Sequence, residues 1–208
     1  MANKYAIVVD TRRCIGCWSC SVACKLENNL PDQVWYNTVE TVGGDQPNTP
    51  AGEYGNCTLC YMPTHCMHCD TPACTPVCPT GATYKDEETG IVMQDTEICI
   101  GCGSCLNACP YTGVRTLVDG EPIPVLDWPV GSLEAPLHVA NTVEKCTLCC
   151  HRVVKGDVPA CVEGCPGRAR YFGDLNDPES EVSQLLTKNA SQQLLSEKGT
   201  NPSVYYLA

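Results

Sequence analysis

The sequence has few aromatic residues, with one Phe, three Trp and nine Tyr among 208 residues. Aromatic side chains supply much of the apolar area in most cores, so packing alone is not expected to hold this chain together. It also has no apolar run near the 18 residues that suggest a membrane-spanning helix. We therefore expect a chain that does not itself span a membrane and that needs something besides packing to stabilise its fold.

Positive charge is also scarce. Lys and Arg number 13 against 24 Asp and Glu, for a formal net charge of -11, and such acidity disfavours binding to the phosphate backbone of nucleic acids. The first ten residues show no signal peptide, since they have neither a long apolar stretch nor a small-residue cleavage site. We therefore expect synthesis in a reducing compartment, where abundant cysteine favours metal ligation over disulfides.

Cysteine is abundant, with 19 residues, and sixteen of them form a repeated motif. The first and third motifs have identical internal spacing, while the second and fourth lengthen the middle gap. The four motifs are Cys14, Cys17, Cys20, Cys24; Cys66, Cys69, Cys74, Cys78; Cys99, Cys102, Cys105, Cys109; and Cys146, Cys149, Cys161, Cys165. A repeat of this kind predicts four similar sites.

The spacing is typical of 4Fe-4S clusters. A C-x2-C-x2-C run wraps three corners of the cube from one loop, and in two-cluster ferredoxins the fourth cysteine, usually followed by Pro, ligates the other cluster. Cys78, Cys109 and Cys165 each precede a proline, whereas Cys24 precedes Lys25. The sequence therefore predicts four 4Fe-4S clusters with the fourth ligands exchanged between motifs.

The lengths between motifs predict which ones exchange ligands. Twenty residues join the second and third motifs, against 41 between the first and second and 36 between the third and fourth. The second and third motifs should form one ferredoxin-like unit, leaving the first and fourth to form another. The predicted sets, numbered by the motif that gives three ligands, are set 1 (Cys14, Cys17, Cys20, Cys165), set 2 (Cys66, Cys69, Cys74, Cys109), set 3 (Cys99, Cys102, Cys105, Cys78) and set 4 (Cys146, Cys149, Cys161, Cys24).

The predicted fold class is α+β, with two interlocked bacterial-ferredoxin-like modules made of short strands, hairpins and cluster-binding loops. The inner module is residues 57–110, and the outer one is residues 1–56 plus 111–208 with an insertion at 111–145. Strands are expected at Lys4 to Asp10 and Ala169 to Leu175, with hairpins at Thr83 to Asp95 and Thr116 to Leu126. A surface loop is expected at 43–55, helix within 180–198 and in HRVVKGD, and extended chain over the last ten residues.

Three cysteines, Cys57, Cys60 and Cys150, fall outside the sets. Cys57 and Cys60 are read as small apolar residues of a strand, although they could compete as ligands, and Cys150 is expected to point away from its neighbour Cys149. The histidines, His65, His68, His138 and His151, are not needed as ligands because no set lacks a cysteine. Structural zinc and purely structural clusters remain as alternatives, but zinc sites rarely use a third cysteine two residues on.

A complete set of four cysteine ligands leaves no open coordination position for a substrate, so electron transfer is the expected role. No Ser/His/Asp constellation, phosphate loop or dinucleotide fingerprint appears in the sequence. We expect no catalytic residues, and a chain that by itself is not an enzyme.

The chain resembles the four-cluster iron-sulfur (beta) subunits of the molybdopterin oxidoreductase (dimethyl sulfoxide reductase) family, most of all the polysulfide, thiosulfate, tetrathionate and arsenate reductase group. The resemblance rests on YAIVVDTRRCIGCWSCSVACKLENNLP, CMHCDTPACTPVCPTGATYK, CIGCGSCLNACPY, KCTLCCHRVVKGDVPACVEGCP, RYFGDLNDPESEVSQLL and GTNPSVYYL. It implies a large catalytic partner with a molybdenum or tungsten pterin centre, often with a quinone-reactive membrane anchor. The long stretch 111–145 then reads as a subunit-contact loop.

The resemblance also implies a location. In many relatives the catalytic subunit carries a twin-arginine signal and takes the beta subunit with it, so the expected place is the extracytoplasmic face of the cytoplasmic membrane, with the cytoplasm as the alternative. Two other functions stay open. One is a free-standing polyferredoxin or a hydrogenase- or formate-linked electron-transfer subunit, and the other is a cluster-based redox sensor or scaffold.

Overall fold

The structure is a computed structural model that describes residues 3–46 and 48–207. It combines many short strands with short helices, as the α+β prediction requires. The strands are β1 (Tyr5–Asp10), β2 (Asn37–Thr41), β3 (Ala51–Glu53), β4 (Asn56–Thr58), β5 (Tyr61–His65), β6 (Thr83–Lys85), β7 (Val92–Gln94), β8 (Arg115–Leu117), β9 (Val143–Lys145), β10 (Arg170–Asp174), β11 (Ser191–Gln192) and β12 (Val204–Leu207). The helices are α1 (Ser19–Glu27), α2 (Ser104–Ala108), α3 (Cys150–Val153), α4 (Ala160–Glu163) and α5 (Glu181–Lys188), with a 3-10 turn at Ser196–Lys198.

The largest sheet has four strands in the order β10, β1, β12, β11. β1 is its buried centre, antiparallel to β10 and parallel to β12. Alternate residues of β1 face opposite sides, so Ile7 and Val9 enter the main core while Val8 packs with Val182 under α5. The predicted strands near both ends of the chain are confirmed, and their pairing joins the two ends.

The second hairpin predicted from the sequence is wrong. Thr83 to Asp95 does form a hairpin of β6 and β7, but β8 pairs with β9 across a long excursion, and no strand follows Asp119 and Gly120 before β9. The physical reason lies in Pro122 and Pro124, which have no N–H to donate to a sheet ladder. The Asp-Gly pair therefore begins a loop that runs to Asn141.

Three further predictions need correction. The predicted loop 43–55 includes β3 and the turn of a β-hairpin. β3 pairs with β4 through a two-residue turn at Tyr54 and Gly55. The helix predicted within 180–198 ends at Lys188, after which β11 adds to the large sheet. In HRVVKGD, helix covers only the first three residues, and the chain turns at Gly156 with a φ of 87°.

Cysteine side chains occupy much of the main core. Cys20, Cys24, Cys66, Cys69, Cys146 and Cys161 are buried there among Ile, Val, Leu and Tyr side chains. This is where a larger domain would place aromatic residues, so the core is built around the predicted ligands. Of the helices in the described part of the chain, none has the length and apolar character to cross a membrane.

One histidine fastens the loop between β8 and β9 to the core. His138 Nδ1 lies 2.8 Å from Glu144 Oε2, and Nε2 lies 2.9 Å from the Asn28 carbonyl oxygen. Both partners are acceptors, so both ring nitrogens donate and the ring is an imidazolium. Burial acts to lower the pKa of His138, but the hydrogen bond and charge of Glu144 outweigh it and raise the pKa above its usual value.

This geometry predicts a pH-dependent anchor. A histidine with a raised pKa stabilises the folded arrangement fully below its unfolded pKa of about 6.5, and the stabilisation is lost as the pH rises through the folded value. Limited proteolysis of the 119–141 loop should therefore accelerate as the pH increases. His138→Gln should be cleaved faster at low pH and show a flat pH profile, and a profile like that of the wild type would contradict the anchor.

Candidate iron-sulfur sites

All four motifs share one backbone conformation in their first loop. The residue before the second cysteine has a positive φ in each, and the four are Gly16, His68, Gly101 and Leu148. Gly adopts this left-handed conformation freely, whereas for other residues it costs about 1 kcal/mol. His68 and Leu148 adopt it nonetheless, which shows that all four loops are held in the same shape.

The loops direct hydrogen-bond donors at cysteine sulfurs. Backbone N–H groups donate to Cys146 from Leu148 at 3.3 Å, to Cys165 from Ala169 at 3.3 Å, to Cys78 from Thr83 at 3.4 Å and to Cys99 from Val143 at 3.5 Å. Donors of this kind stabilise a thiolate. Each of these N–H groups would therefore hydrogen-bond a metal-bound thiolate at its sulfur.

Set 1 is assembled by the pairing of β1 with β10. Cys14 follows the end of β1 and Cys165 precedes the start of β10, and because the strands are antiparallel these ends meet. Its four cysteines line one cavity. Burial raises the pKa of the Cys14 thiol, with the nearby thiols of Cys20 and Cys165 adding to the effect.

Set 4 is assembled by α1 packing against α4, which brings Cys24 to Cys161. Its four cysteines are all buried and line a second cavity. Burial raises the pKa of the Cys24 thiol far above its usual value, helped by the thiols of the other three members. The Asn28 amide nitrogen lies 3.7 Å from the Cys24 sulfur and 3.8 Å from that of Cys149.

Sets 2 and 3 are assembled around the β6–β7 hairpin. Burial raises the pKa of Cys69 to about 11. The other three members of set 2 lie close enough to alter that pKa, and they are Cys66, Cys109 and Cys74. In set 3, the Cys78 thiol acts in the same way on Cys102, while Cys99 and Cys105 pack together beside Val143. The structure thus brings together the members of each predicted set from separate motifs.

The four sets follow one another in a row. Cys161 of set 4 lies near Cys20 of set 1, Cys146 of set 4 lies near Cys66 of set 2, and Cys74 of set 2 packs in one cluster with Cys105 of set 3. The order is set 1, set 4, set 2, set 3. Both end sets contain an exposed cysteine, Cys17 or Cys102, whereas the two middle sets contain none.

Several buried donors beside the sets have no nitrogen or oxygen acceptor within the described residues. They are Arg170 Nε and Nη2, Arg115 Nη2 and Gln94 Nε2. Buried donors are rarely left unpaired, so an acceptor is expected there, and the sulfide of an iron-sulfur cluster is one. Among residues 3–46 and 48–207, no three His, Cys, Asp or Glu side chains converge tightly enough for a single metal ion; a cube holds its four thiolates farther apart, since each binds a different iron.

The three remaining cysteines lie away from the sets. Cys57 is exposed on β4 and lies 3.0 Å from the Glu53 carbonyl oxygen, so it is not the apolar strand residue predicted from the sequence. Cys60 is half-buried between β4 and β5. Cys150 begins α3 and is half-buried, and burial followed by the charge of Asp86 raises its pKa.

The histidines have other partners or surroundings. His65 donates from Nδ1 to the Cys66 carbonyl oxygen at 2.8 Å, and burial followed by the charge of Arg170 lowers its pKa to about 3. His151 Nε2 lies 2.9 Å from Glu27 Oε1. His68 is buried with neither ring nitrogen bonded to a described residue, and it stays a neutral neighbour of Cys66 and Cys69.

Sequence reasoning missed the residues that surround the sulfurs. Asn37 donates to the Cys20 sulfur at 3.1 Å, and Arg115, Lys145 and Arg170 are buried beside cysteines of two sets each. The only signal in the sequence was a charged residue at the end of a short strand next to apolar ones. That pattern is also typical of a solvated strand end, so it could not identify them.

Comparison with known proteins gives the class of protein. The family model for the 4Fe-4S dicluster domain matches residues 57–121 and 135–175. A Halobacterium salinarum protein named as a dimethyl sulfoxide reductase iron-sulfur subunit is 46% identical over 99% of this chain and 79% of its own length. The arsenate respiratory reductase iron-sulfur subunit of Shewanella sp. is 37% identical over 98% and 96%, and a tetrathionate reductase subunit of Salmonella typhimurium is 39% identical over 99% and 72%.

This is therefore an iron-sulfur protein that binds 4Fe-4S clusters. More particularly, the chain belongs to the iron-sulfur electron-transfer (beta) subunits of the molybdopterin oxidoreductase family. The resemblance inferred from the sequence motifs is confirmed, and the chain is an electron-transfer subunit and not the catalytic subunit of its complex.

Proposed function

We propose that this subunit relays electrons through four 4Fe-4S clusters between a quinol-linked or soluble donor and a molybdenum or tungsten pterin catalytic subunit. The carrying observation is the single row of four cysteine sets, with exposed cysteines at its two ends only. When bound, a 4Fe-4S cluster supplies reversible one-electron storage. The sixteen set cysteines are the proposed ligands, and the three cysteines outside the sets are not.

The burial of the middle sets supports a relay. Cys24, Cys146, Cys149 and Cys161 are each less than a tenth exposed, so a partner cannot reach set 4 directly. At the ends, Ile15 beside Cys14 and Ile100 beside Cys99 are each 64% exposed. Each end of the row thus presents an apolar side chain and a cysteine together, which suits contact with a partner protein.

The two-module description also belongs to this proposal. Sets 2 and 3 exchange Cys78 and Cys109 around the β6–β7 hairpin, as expected for an inner ferredoxin-like module at 57–110. Sets 1 and 4 draw on both chain ends, as expected for an outer module of 1–56 and 111–208. Contacts such as Val143 N–H to the Cys99 sulfur join the two, so we expect them to fold as one unit.

We propose that the loop 119–141 docks on the large catalytic subunit. Trp128, Leu133 and Leu137 are 65%, 83% and 78% exposed. The loop is tied to the cluster-bearing core, because Asn29 contacts both Gly131 and Ser132 and Thr96 donates to the Leu137 carbonyl oxygen. The relatives carry names of reductase subunits, which favours a catalytic partner over a free-standing polyferredoxin.

A quinone-reactive membrane anchor and an extracytoplasmic location, reached by export with a signal-bearing catalytic subunit, complete the proposal. Both rest on the family and on no feature of the fold. Cell fractionation of the native organism tests the location, since the subunit should follow its catalytic partner into the extracytoplasmic membrane fraction.

The ligand assignment predicts iron contents. Anaerobically purified protein should hold about sixteen irons, four per cube, and Cys24→Ala or Cys165→Ala should each lose about a quarter of them. The matched controls Cys57→Ala, Cys60→Ala and Cys150→Ala should lose none. Far fewer than about sixteen irons in the wild type, or a loss of one cluster in a control, would contradict the assignment.

The docking proposal predicts the result of a pull-down. Trp128→Ser with Leu133→Ser should recover much less of the catalytic subunit while keeping full iron content, because apolar contact area is lost without touching a site. Tyr54→Ser, which alters a fully exposed side chain on the β3–β4 turn, is the control and should leave recovery unchanged. A native protein that purifies with no large pterin-containing partner would refute the proposed function.

A further inference from the structure

Three buried cations lack a carboxylate partner. Arg115, Lys145 and Arg170 are 6%, 1% and 3% exposed, yet each ion pair found in the described part of the chain involves other residues. A buried charge without a counter-charge costs several kcal/mol. The compensating negative charge must therefore come from something other than Asp or Glu.

Their hydrogen bonds go to neutral acceptors. Arg170 donates to Asn37 Oδ1 at 3.0 Å, and Arg115 donates to Gln94 Oε1 at 3.3 Å. Lys145 donates to the carbonyl oxygens of Val92 and Cys146. These acceptors orient the three cations without neutralising them.

Each cation lies at a junction between two consecutive sets. The guanidinium of Arg170 lies near the sulfurs of Cys161 of set 4 and Cys20 of set 1. Lys145 lies between Cys66 of set 2 and Cys146 of set 4, and Arg115 faces Cys66 and Cys74 of set 2 together with Cys105 of set 3. The row of four sets has three junctions, and each holds one cation.

The backbone places two of these cations opposite each other. Arg115 and Lys145 are direct partners in the β8–β9 register, where like charges normally destabilise a sheet. The Lys145 ammonium donates to two backbone carbonyl oxygens, and these acceptors favour its charged form. Two cations in this position are stable only if strong negative charge surrounds them.

We propose that Arg170, Lys145 and Arg115 are junction cations, each of which raises the reduction potentials of the two clusters it separates. The inference rests on the proposed four-cluster function. Four thiolates carry more negative charge than the iron-sulfur core carries positive charge, so every occupied site is anionic and becomes more so on reduction. A fixed cation nearby favours the reduced state, and net charge and hydrogen bonding are the terms that set these potentials.

N–H groups on the two arginines support the same role. Arg170 lies within hydrogen-bonding reach of the Cys161 sulfur and Arg115 within reach of the Cys74 sulfur, and Arg170 Nε and Nη2 and Arg115 Nη2 have no nitrogen or oxygen acceptor among the described residues. Cluster sulfur is the acceptor that a junction offers to them. The two guanidinium groups would then act both as charges and as hydrogen-bond donors, whereas the Lys145 ammonium already uses backbone carbonyls.

The test is a redox titration followed by electron paramagnetic resonance on iron-loaded protein. Arg170→Met should lower the midpoint potentials of two clusters and Arg115→Met those of the other two. Lys145→Met should lower the midpoint potential of one cluster from each of these two pairs. This overlap pattern identifies the junctions without any prior assignment of a signal to a cluster.

The controls separate charge from structure. Arg170→Lys keeps the charge, so the midpoint potentials should stay close to those of the wild type. Arg168→Met removes an exposed arginine near set 1 and should shift no midpoint potential. If the Arg115→Met protein does not take up its clusters, Gln94→Glu serves instead. It neutralises the Arg115 guanidinium in place and should lower the midpoint potentials of the same two clusters.

The outcomes are distinct for the two proposals. Full iron content with unchanged potentials in the Met variants, or both arginine variants shifting the same clusters, would overturn the junction cations and leave the relay standing. Wild-type protein with fewer than four clusters would instead refute the relay on which they rest.

Discussion

Each proposed site draws four thiols from two distant segments of the chain, and much of the fold serves to bring those segments together. The pairing of β1 with β10 brings Cys14 to Cys165, and the packing of α1 on α4 brings Cys24 to Cys161. The β6–β7 hairpin does the same for the inner motifs. Strands of three residues would not hold such loops alone, so bound clusters are expected to contribute to folding as structural metals do in other small domains.

The electrostatics follow from the same requirement. Burial raises the pKa of thiols such as Cys24, Cys69 and Cys149, so the metal-free thiols are protonated and must release protons when iron binds. Backbone and Asn donors directed at the sulfurs stabilise the resulting thiolates. The buried cations at the junctions oppose the charge that accumulates once all four sites are filled.

The sets could be predicted because ligand chemistry leaves a periodic signal in the sequence. Identical spacings and the prolines after Cys78, Cys109 and Cys165 predict an exchange of fourth ligands, and that exchange stays a prediction, supported by the proximity of these residues in the structure. Strands β1 and β10 were predicted for the same kind of reason, since each is a short run with apolar or aromatic residues, and β12 lies in the last ten residues, which were expected to be extended.

What failed depended on contacts distant in sequence. A long loop separates β8 from its partner β9. Its Asp119-Gly120 pair has the sequence of a hairpin turn, so only the identity of the partner strand distinguishes a local hairpin from the long-range pairing. The buried cations could not be recognised either, because each is a single charged residue whose role depends on the sulfurs around it. They are Arg115, Lys145 and Arg170. The end of α5 was missed for a similar reason, because the residues after it form β11 and pair with β12.

We propose a single row of four clusters in the order of sets 1, 4, 2 and 3. Crystallographic anomalous scattering at the iron edge tests it most directly, because iron positions are seen independently of the protein chain. We expect four compact iron peaks in that order, each surrounded by the four cysteines of its set. Fewer peaks, or a grouping in which set 1 adjoins set 3, would contradict it.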